Sequence, residues 1–418
     1  MDKLGFLKTK KNSHLKNRQL KQQRNIIRYL AQSKQFLTIP EIVEHLKISF
    51  PTGLKLIKKL VADGYVLEKG KRATDNGRRP TLYSLNYEKS YVVGVEILPG
   101  FIQVSILRLD LQTIHKSLNN KDFQFTNTTA CLDYITTFIK DTIREASIEE
   151  NQVMGIGVGM IGNNFYVKPY YTETDHKENK TANYLKNKDI SLQEHLETTL
   201  KLPVLIDNDT RTIATAEQVL GLAKGVNNVL VVKVSSTLGL SLILNRRIYK
   251  GSLGFAGNFK HTQFHKNNRL CVCGKKGCLG TVVGGYALKD DLKEALNAGE
   301  TSLHFQKENI DQYRYHDILD AVLKGDEIAI QIVHNQGIKL GKALGNLLNL
   351  FDPDLVLISG EYVMIQNFFL DAVKVGLRKT ALLHVLNNCA VEASTLGRYL
   401  SSTAGACMFL KDCDMIEY

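Results

Sequence analysis

Three thiols lie within eight residues in the run Cys271-Val272-Cys273-Gly274-Lys275-Lys276-Gly277-Cys278. Two glycines inside that run allow the sharp reversals that three converging sulfurs need. The chain holds 7 cysteines, an odd number, and only these three cluster. A tight cluster in a chain whose start shows no export signal points to metal rather than to disulfides, and to a reducing cytoplasm. A tetrahedral zinc ion needs one more donor. His261, ten residues upstream, and His265, six upstream, are the candidates. A closed site of three Cys and one His leaves no open position for an activated water, so the expected role is structural: to brace the loop that carries the histidine. Cys131, Cys389, Cys407 and Cys413 are scattered and read as ordinary core or surface residues.

The second chemical signal is charge. The formal net charge is +12, and residues 1–87 hold 19 Lys and Arg against 6 Asp and Glu. The rest of the chain holds 35 against 36, so the whole excess sits on one small segment. A compact basic module at one end is the footprint of a nucleic-acid-binding domain, because neutralising phosphates releases counterions. Three helical patterns follow one another there. Residues 18–33 carry Leu20, Ile27, Leu30 and Ala31 on one face. Thr38-Ile39-Pro40-Glu41 caps and opens a short helix with Ile42, Val43 and Leu46 as its buried stripe. Ser49 caps a third helix whose expected apolar stripe is Phe50, Leu54, Ile57 and Val61, with Leu60 beside them, ending at Asp63-Gly64.

The tight turn Lys47-Ile48-Ser49 makes the last two helices a helix-turn-helix. Residues 65–70 and 81–85 read as two strands joined by a cationic turn that includes Gly77-Arg78-Arg79-Pro80, a wing. The third helix would enter the major groove, with Ser49, Thr52, Lys55 and Lys58 toward bases or phosphates. Arg78 and Arg79 would reach the backbone or a narrow minor groove. The expected partner is therefore a double-stranded DNA operator, bound by a homodimer or tetramer. No apolar window is long enough for a membrane span.

From residue 90 the pattern changes to α/β. Strands at 91–97, 101–107 and 112–115 form a meander, followed by a helix at 129–147, a strand at 153–158, a helix at 191–200, the strand at 204–206 and a helix at 210–219. Residues 163–190 read as a long surface loop. A second meander at 229–234, 240–244 and 247–249 precedes helices at 286–296, 315–323, 326–350, 363–377 and 398–410, with strands at 355–358 and 390–392 between them. Two meanders, each followed by alternating helices and strands, suggest two similar α/β lobes with a cleft between them.

The chain resembles the ROK family (repressors, open reading frames and sugar kinases), in the branch of xylose and N-acetylglucosamine repressors that carries an N-terminal winged helix. The residues that carry the likeness are the helix-turn-helix with Gly77-Arg78-Arg79-Pro80, Asp207-Asn208-Asp209, Gly257-Asn258-Phe259-Lys260-His261, the cysteine run, and residues 352–360, Asp-Pro-Asp-Leu-Val-Leu-Ile-Ser-Gly. The resemblance implies a winged helix-turn-helix at 1–88 and a two-lobed actin-like or hexokinase-like domain at 89–418. Lobe one would be about 89–215 plus the helix at 398–410, and lobe two about 216–397. It implies His261 rather than His265 as the fourth zinc ligand beside Cys271, Cys273 and Cys278, with the other ring nitrogen turned to a sugar hydroxyl. It implies that Asn208, Asp209, Asn258 and His261 line a site for a carbohydrate-derived effector, Asp209 standing where the family's kinases have their catalytic base.

The departures from that pattern are informative. The kinases open on Asp-x-Gly-Gly-Thr, whereas here Glu96-Ile97-Leu98-Pro99-Gly100 puts a proline where a phosphate-binding amide would be. The second phosphate turn, 235–241, keeps only Gly239, and the late Gly-Gly has become Ser359-Gly360. Losing all three argues against phosphoryl transfer, because a base with no positioned phosphate has nothing to act on. On the sugar side the family's glutamates are Asn258 and Gly280, Lys260 replaces a glycine, and the Pro-Gly turn is Met160-Ile161-Gly162. Each lost acceptor weakens hydroxyl binding by about 1–3 kcal/mol, so a modified ligand, or weak sugar binding, is expected. The expected function is a cytoplasmic DNA-binding repressor of carbohydrate genes that is no longer an enzyme. Its rivals are a sugar kinase with an accessory head and a regulator whose sensor domain binds a protein partner.

Overall fold

The first helix, α1 (His14–Gln32), buries Gln23, Ile26, Ile27 and Leu30, the face that a 3.6-residue period aligns. The computed structural model describes residues 14–33, 35–73, 79–98, 101–119, 128–161, 191–264, 267–397 and 400–416. Helix α2 (Ile39–Leu46) begins where Glu41 accepts hydrogen bonds from the Thr38 amide (2.7 Å) and hydroxyl (2.8 Å). The Arg72 guanidinium, 2.6 Å away, holds the Glu41 carboxyl down at about 2 and ties the helix to the residues after the next strand. Lys47, in the left-handed region at φ 51, ends α2, and Ser49 in extended conformation starts α3 (Phe50–Ala62). The antiparallel hairpin of β1 (Val66–Lys71) and β2 (Thr81–Leu85) follows. Leu37 adds a two-bond bridge to Tyr83, at 3.0 and 2.7 Å. The wing tip, including Gly77 and Arg78, lies outside the described residues.

The buried stripe of α3 is Gly53, Leu56, Ile57 and Leu60. This corrects the sequence expectation: Phe50 is 50% exposed, and Leu54 and Val61 are only half-buried. The physical reason is Gly53. A Cβ there would stand 2.1 Å from Val43 Cγ1, so α2 and α3 cross at a point that admits no side chain. That close crossing turns the helix and presents Phe50 outward with the lysines. Gly53→Val is expected to cost about 1–3 kcal/mol by overpacking. The check is amide exchange across residues 39–62, which should speed up while the sheets behind stay protected.

Two five-stranded sheets make up the rest. The first contains β3 (Tyr91–Leu98), β4 (Phe101–Arg108) and β5 (Thr113–Asn119) as an antiparallel meander, then β6 (Val153–Met160) and β7 (Val204–Asn208). Helices α4 (Thr128–Glu145) and α5 (Leu192–Leu200) accompany them. After α6 (Asp209–Leu220) the second sheet starts with the antiparallel meander β8 (Val229–Val234), β9 (Leu238–Leu244) and β10 (Arg247–Tyr249). Helices α7 (Gly285–Asn297), α8 (Tyr315–Leu323) and α9 (Glu327–Phe351) lead to β11 (Leu355–Ser359), which pairs in parallel with β8. Helices α10 (Gln366–Leu377) and α11 (Leu383–Asn388) precede β12 (Ala390–Ala393), parallel to β11, and α12 (Leu400–Asp412) ends the fold.

The strand orders are β5-β4-β3-β6-β7 and β10-β9-β8-β11-β12, the same topology twice. Strands such as Val229–Val234, buried at every position and apolar at all but Lys233, are central strands covered on both faces. The chain divides into two compact units. One gathers the described residues within Met1–Val158, Asn187–Ile206 and Ser402–Glu417, and the other those within Gly159–Lys186 and Asp207–Ser401. In the first, α12 returns against the sheet with Ala404, Ala406, Cys407, Phe409 and Leu410 buried, and the Ser402 and Ser105 hydroxyls 2.6 Å apart. In the second, one core joins strands β8, β9 and β11 to helices α7 to α10. Among the described residues no helix is long and apolar enough to cross a membrane.

Candidate functional site

His261 and the three clustered cysteines converge, as the family resemblance implied. One donor atom from each lies within 4.8 Å of all the others. His261 stands in a single turn, Phe259–His261, that follows Gly257 at φ 93; a Cβ on Gly257 would meet the Leu240 carbonyl oxygen at 2.0 Å, so this loop lies flush against β9. The cysteine loop reverses at Gly274 (φ 82) and Gly277 (φ 85), with the Cys271 amide bonded to the Lys275 carbonyl at 2.8 Å. It is stitched to the histidine segment where the Leu279 amide meets the Thr262 carbonyl at 2.9 Å. Cys278 is fully buried, and the adjacent Leu279 is part of the second unit's core. His265 lies outside the described residues.

The donor set fits a tetrahedral zinc ion. With Zn–S of about 2.3 Å and Zn–N of about 2.0–2.1 Å, a tetrahedron has S–S edges of about 3.8 Å and S–N edges of about 3.5 Å. Cys273 Sγ is 3.6 Å from Cys278 Sγ, and Cys271 Sγ is 3.5 Å from His261 Nδ1. Burial, with the charges of Lys260 and Lys275, pushes the imidazole down to about 4, so His261 is a neutral donor above that pH. Burial pushes the Cys278 thiol up to about 12 and raises Cys271. Cys273 ends below its ordinary value: burial opposes ionisation, and the Lys275 amide with the neighbouring thiols outweighs it.

Asn208 and Asp209 sit where β7 passes into α6. Asn208 caps α6, its side-chain oxygen accepting from the amides of Thr210 (3.0 Å) and Arg211 (3.3 Å). Asp209 is buried, and its partner is Lys233 of β8, Nζ to Oδ2 at 2.9 Å with both side chains under a tenth exposed. Burial opposes ionisation of Asp209, but Lys233, the Thr210 amide and the nearby Lys260 charge together hold its pKa below the ordinary value. Asp207 is equally engaged. It accepts from Arg211 Nε (2.6 Å), the Asn208 amide (2.7 Å) and Lys250 Nζ (2.8 Å). Arg211 Nη1 also donates to the Gly254 carbonyl at 2.9 Å, fastening α6 to the loop that leads to His261. Asn258 is exposed and donates to the Phe255 carbonyl at 3.0 Å.

Sequence reasoning missed Lys233, Lys250 and Arg211 as members of this cluster. One signal was present: Lys233 interrupts Val-Leu-Val-Val-Lys-Val, and a charge inside a buried run needs a partner. In the first unit, Ser49, Lys55, Lys58 and Arg79 are exposed and Thr52 is half-exposed, with the Ser49 and Thr52 hydroxyls 2.8 Å apart at the start of α3. Arg78 lies outside the described residues.

Two sheets of the same strand order make a fold that this chain shares with solved structures of both a ROK transcriptional regulator and a ROK glucokinase. The chain belongs to the ROK family, which it matches over residues 94–412. It is 24% identical over 383 residues to a putative xylose repressor of Caldicellulosiruptor sp. (strain Rt8B.4), covering 88% of this chain and 92% of that one. It is 25% identical over 362 residues to the DNA-binding transcriptional dual regulator NagC of Escherichia coli K12, covering 85% and 84%. Among solved structures it resembles a ROK family transcriptional regulator described as a homolog of the E. coli MLC protein, with TM-score 0.74 and 20% identity over 95% of this chain and 98% of that one. A ROK glucokinase from Streptomyces griseus, in complex with glucose and AMPPNP, aligns with TM-score 0.61 and 21% identity over 76% and 99%. The expected actin-like or hexokinase-like α/β fold is the fold of these ROK proteins.

Proposed function

We propose that the protein is a DNA-binding transcriptional repressor of carbohydrate genes, acting in the cytoplasm as a homodimer or tetramer. The observation that carries this reading is the exposed face of α3, where Ser49, Thr52, Lys55, Lys58 and Lys59 stand beside a short turn and a hairpin that bears Arg79. That face meets the geometric needs of a major-groove helix, and Phe50 adds an apolar contact of the kind that reads a thymine methyl. The names of the relatives, xylose repressor and dual regulator NagC, support the same reading. The domains are the winged helix-turn-helix at 1–88 and the ROK domain at 89–418.

The ROK domain is the sensor. Asn208, Asp209, Asn258 and His261 take a carbohydrate-derived effector, and zinc at His261, Cys271, Cys273 and Cys278 holds the histidine in place. Effector binding changes operator affinity by its differential affinity for two arrangements of the protein. A non-catalytic role is supported by the state of Asp209. Its Oδ2 accepts from Lys233, which helps hold its pKa down and makes it a weaker base, and the phosphate turns lack the paired glycines that would seat a nucleotide.

The test is DNA binding by the full chain as a function of salt, on duplexes selected from the organism's own sequence. The wild type should bind with a steep loss of affinity as salt rises. Lys55→Ala with Arg78→Ala should weaken binding by about tenfold or more and flatten the log–log slope by about 2, one unit per lost phosphate contact. A double variant with the affinity and slope of the wild type would refute the assignment of this face.

A further inference from the structure

The arm of the wing is not steered by its own ladder. Strands β1 and β2 stay in register from Val66↔Leu85 to Glu68↔Tyr83 and then slip, because Lys71 stands opposite Thr81. The slip gives β1 one extra residue, a bulge in which Gly70 takes φ 92 with open space where a Cβ would be. Beyond Lys71 the Arg72 amide bonds to the Pro80 carbonyl at 2.9 Å and closes the arm that bears Arg79. A bulge bends and twists the strand that contains it. The regular pairing near Val66 therefore leaves the direction of that arm to be set by another contact.

The Arg72 side chain supplies that contact. Tyr83 pairs with Glu68 on one edge of β2 and with Leu37 on the other, so β2 lies between β1 and the segment that leads into α2. Arg72 spans it: Nη1 donates to Glu41 Oε1 at 2.6 Å and Nη2 to the Phe36 carbonyl at 3.2 Å. A planar guanidinium fork can hold two such acceptors at once, which a lysine cannot. Glu41 is itself fixed, because its Oε2 accepts from the Thr38 amide and hydroxyl at the start of α2. The brace thus runs from the helix-turn-helix to the arm that bears Arg79. The Arg72 and Glu41 side chains are 40% and 37% exposed, and an ion pair that open to water adds little to the stability of a fold. A glutamine at 41 would keep the cap of α2, and an acid on a cationic head repels phosphate. The carboxylate charge is therefore needed by Arg72 alone.

We propose that the Glu41–Arg72 pair aims the wing at the duplex, so that Arg72 serves DNA binding as a positioning residue and not as a phosphate contact. This rests on the reading of the head as a DNA-binding module, and it assigns to that module a determinant that net charge hides: an acid that tight DNA binding requires. The cations of the wing divide accordingly. Arg79 is exposed and able to meet the backbone, whereas Arg72, with a carboxylate and a carbonyl already on its fork, determines where Arg79 is presented.

The experiment is a set of DNA-binding cycles on the full chain, at fixed salt and near neutral pH, with the duplex selected for the wild type. Arg72→Gln should weaken binding by about fivefold or more, the lower end of what one good contact contributes. Arg72→Lys, which keeps the charge but not the fork, should weaken it to a similar extent. Glu41→Gln should also weaken it, and combining Glu41→Gln with Arg72→Gln should add less than about twofold to either. Melting temperatures should stay near that of the wild type. Arg79→Ala should weaken the wild type several-fold but Arg72→Gln by less than about twofold, because an arm that is no longer aimed does not place Arg79. Three results would each overturn the proposal. Wild-type affinity in Arg72→Lys would make Arg72 a simple charge contact. Tighter binding by Glu41→Gln would make Glu41 an acid that only repels phosphate. An equal loss from Arg79→Ala in both backgrounds would remove the positioning role. With any of these, a loss of affinity in Lys55→Ala leaves the DNA-binding reading standing. A wild type with no salt-sensitive association with any duplex would overturn both.

Discussion

The protein is expected to copurify with one zinc ion per chain, and Cys278→Ala to abolish that metal. Cys278 is the ligand whose loss matters most, because it is fully buried and continues directly into Leu279 of the core. Structural Cys3His sites bind zinc with apparent free energies of about 10–16 kcal/mol near neutral pH, and part of that energy is folding energy. If only about 3 kcal/mol of it reaches the fold, a unit of this size should lose about 6–12 °C of melting temperature. Cys389→Ala, at a buried cysteine outside the cluster, removes the same atom and should keep the zinc. The metal should be harder to hold as pH falls. His261, pushed down to about 4, remains a neutral donor through most of that range. The competition therefore comes from the thiols, since burial raises Cys271 and Cys278 and the metal must displace their protons. Metal analysis of the wild type and both variants, with melting curves before and after dialysis against a chelator, checks all of this. A wild type that is metal-free and unaffected by the chelator would remove the structural role.

Much of this was legible in the residues because it depends on local pattern. The strands of both meanders and the helices between them announce themselves by apolar runs and 3.6-residue spacing, and the convergence of Cys271, Cys273 and Cys278 follows from glycines placed where the loop must reverse; the choice of His261 over His265 came from the family resemblance, not from the spacing. The orientation of α3 was less legible. Two apolar stripes are available on Phe50–Ala62, one through Phe50, Leu54 and Ile57 and one through Leu56, Ile57 and Leu60, and periodicity weighs them almost equally. A tertiary contact decides between them, the Gly53–Val43 crossing. Asn208 and Asp209 were identifiable as site candidates, but the state of the carboxylate was not. It depends on a lysine 24 residues away, brought alongside by the packing of α6 on β8, and no spacing rule reaches that far.

That lysine supports the second large effect. Lys233→Met is expected to destabilise the second unit by about 3–5 kcal/mol, because it leaves Asp209 buried and charged with its main partner gone. Asp209→Asn should cost a comparable amount by stranding Lys233. The double variant Asp209→Asn, Lys233→Met should recover most of the loss, since removing both charges also removes their desolvation penalty. The sign of the pH dependence follows from Asp209. Its pKa is depressed in the folded protein, so the stability it contributes is present above the ordinary carboxylate value and is lost as pH falls through the folded one. In Lys233→Met the buried carboxyl loses that support and protonates more readily, so the gap between variant and wild type should narrow as pH drops from 7 toward 4. Melting curves of the four proteins across that range form a double-mutant cycle. A near-zero coupling would mean that the 2.9 Å pair is incidental. The same cycle bears on catalysis. If Lys233 did no more than silence a competent base, Lys233→Met would gain sugar-dependent ATP consumption. None is expected, because the phosphate turn at 235–241 keeps a single glycine, and relieving the carboxylate does not supply a seat for the nucleotide.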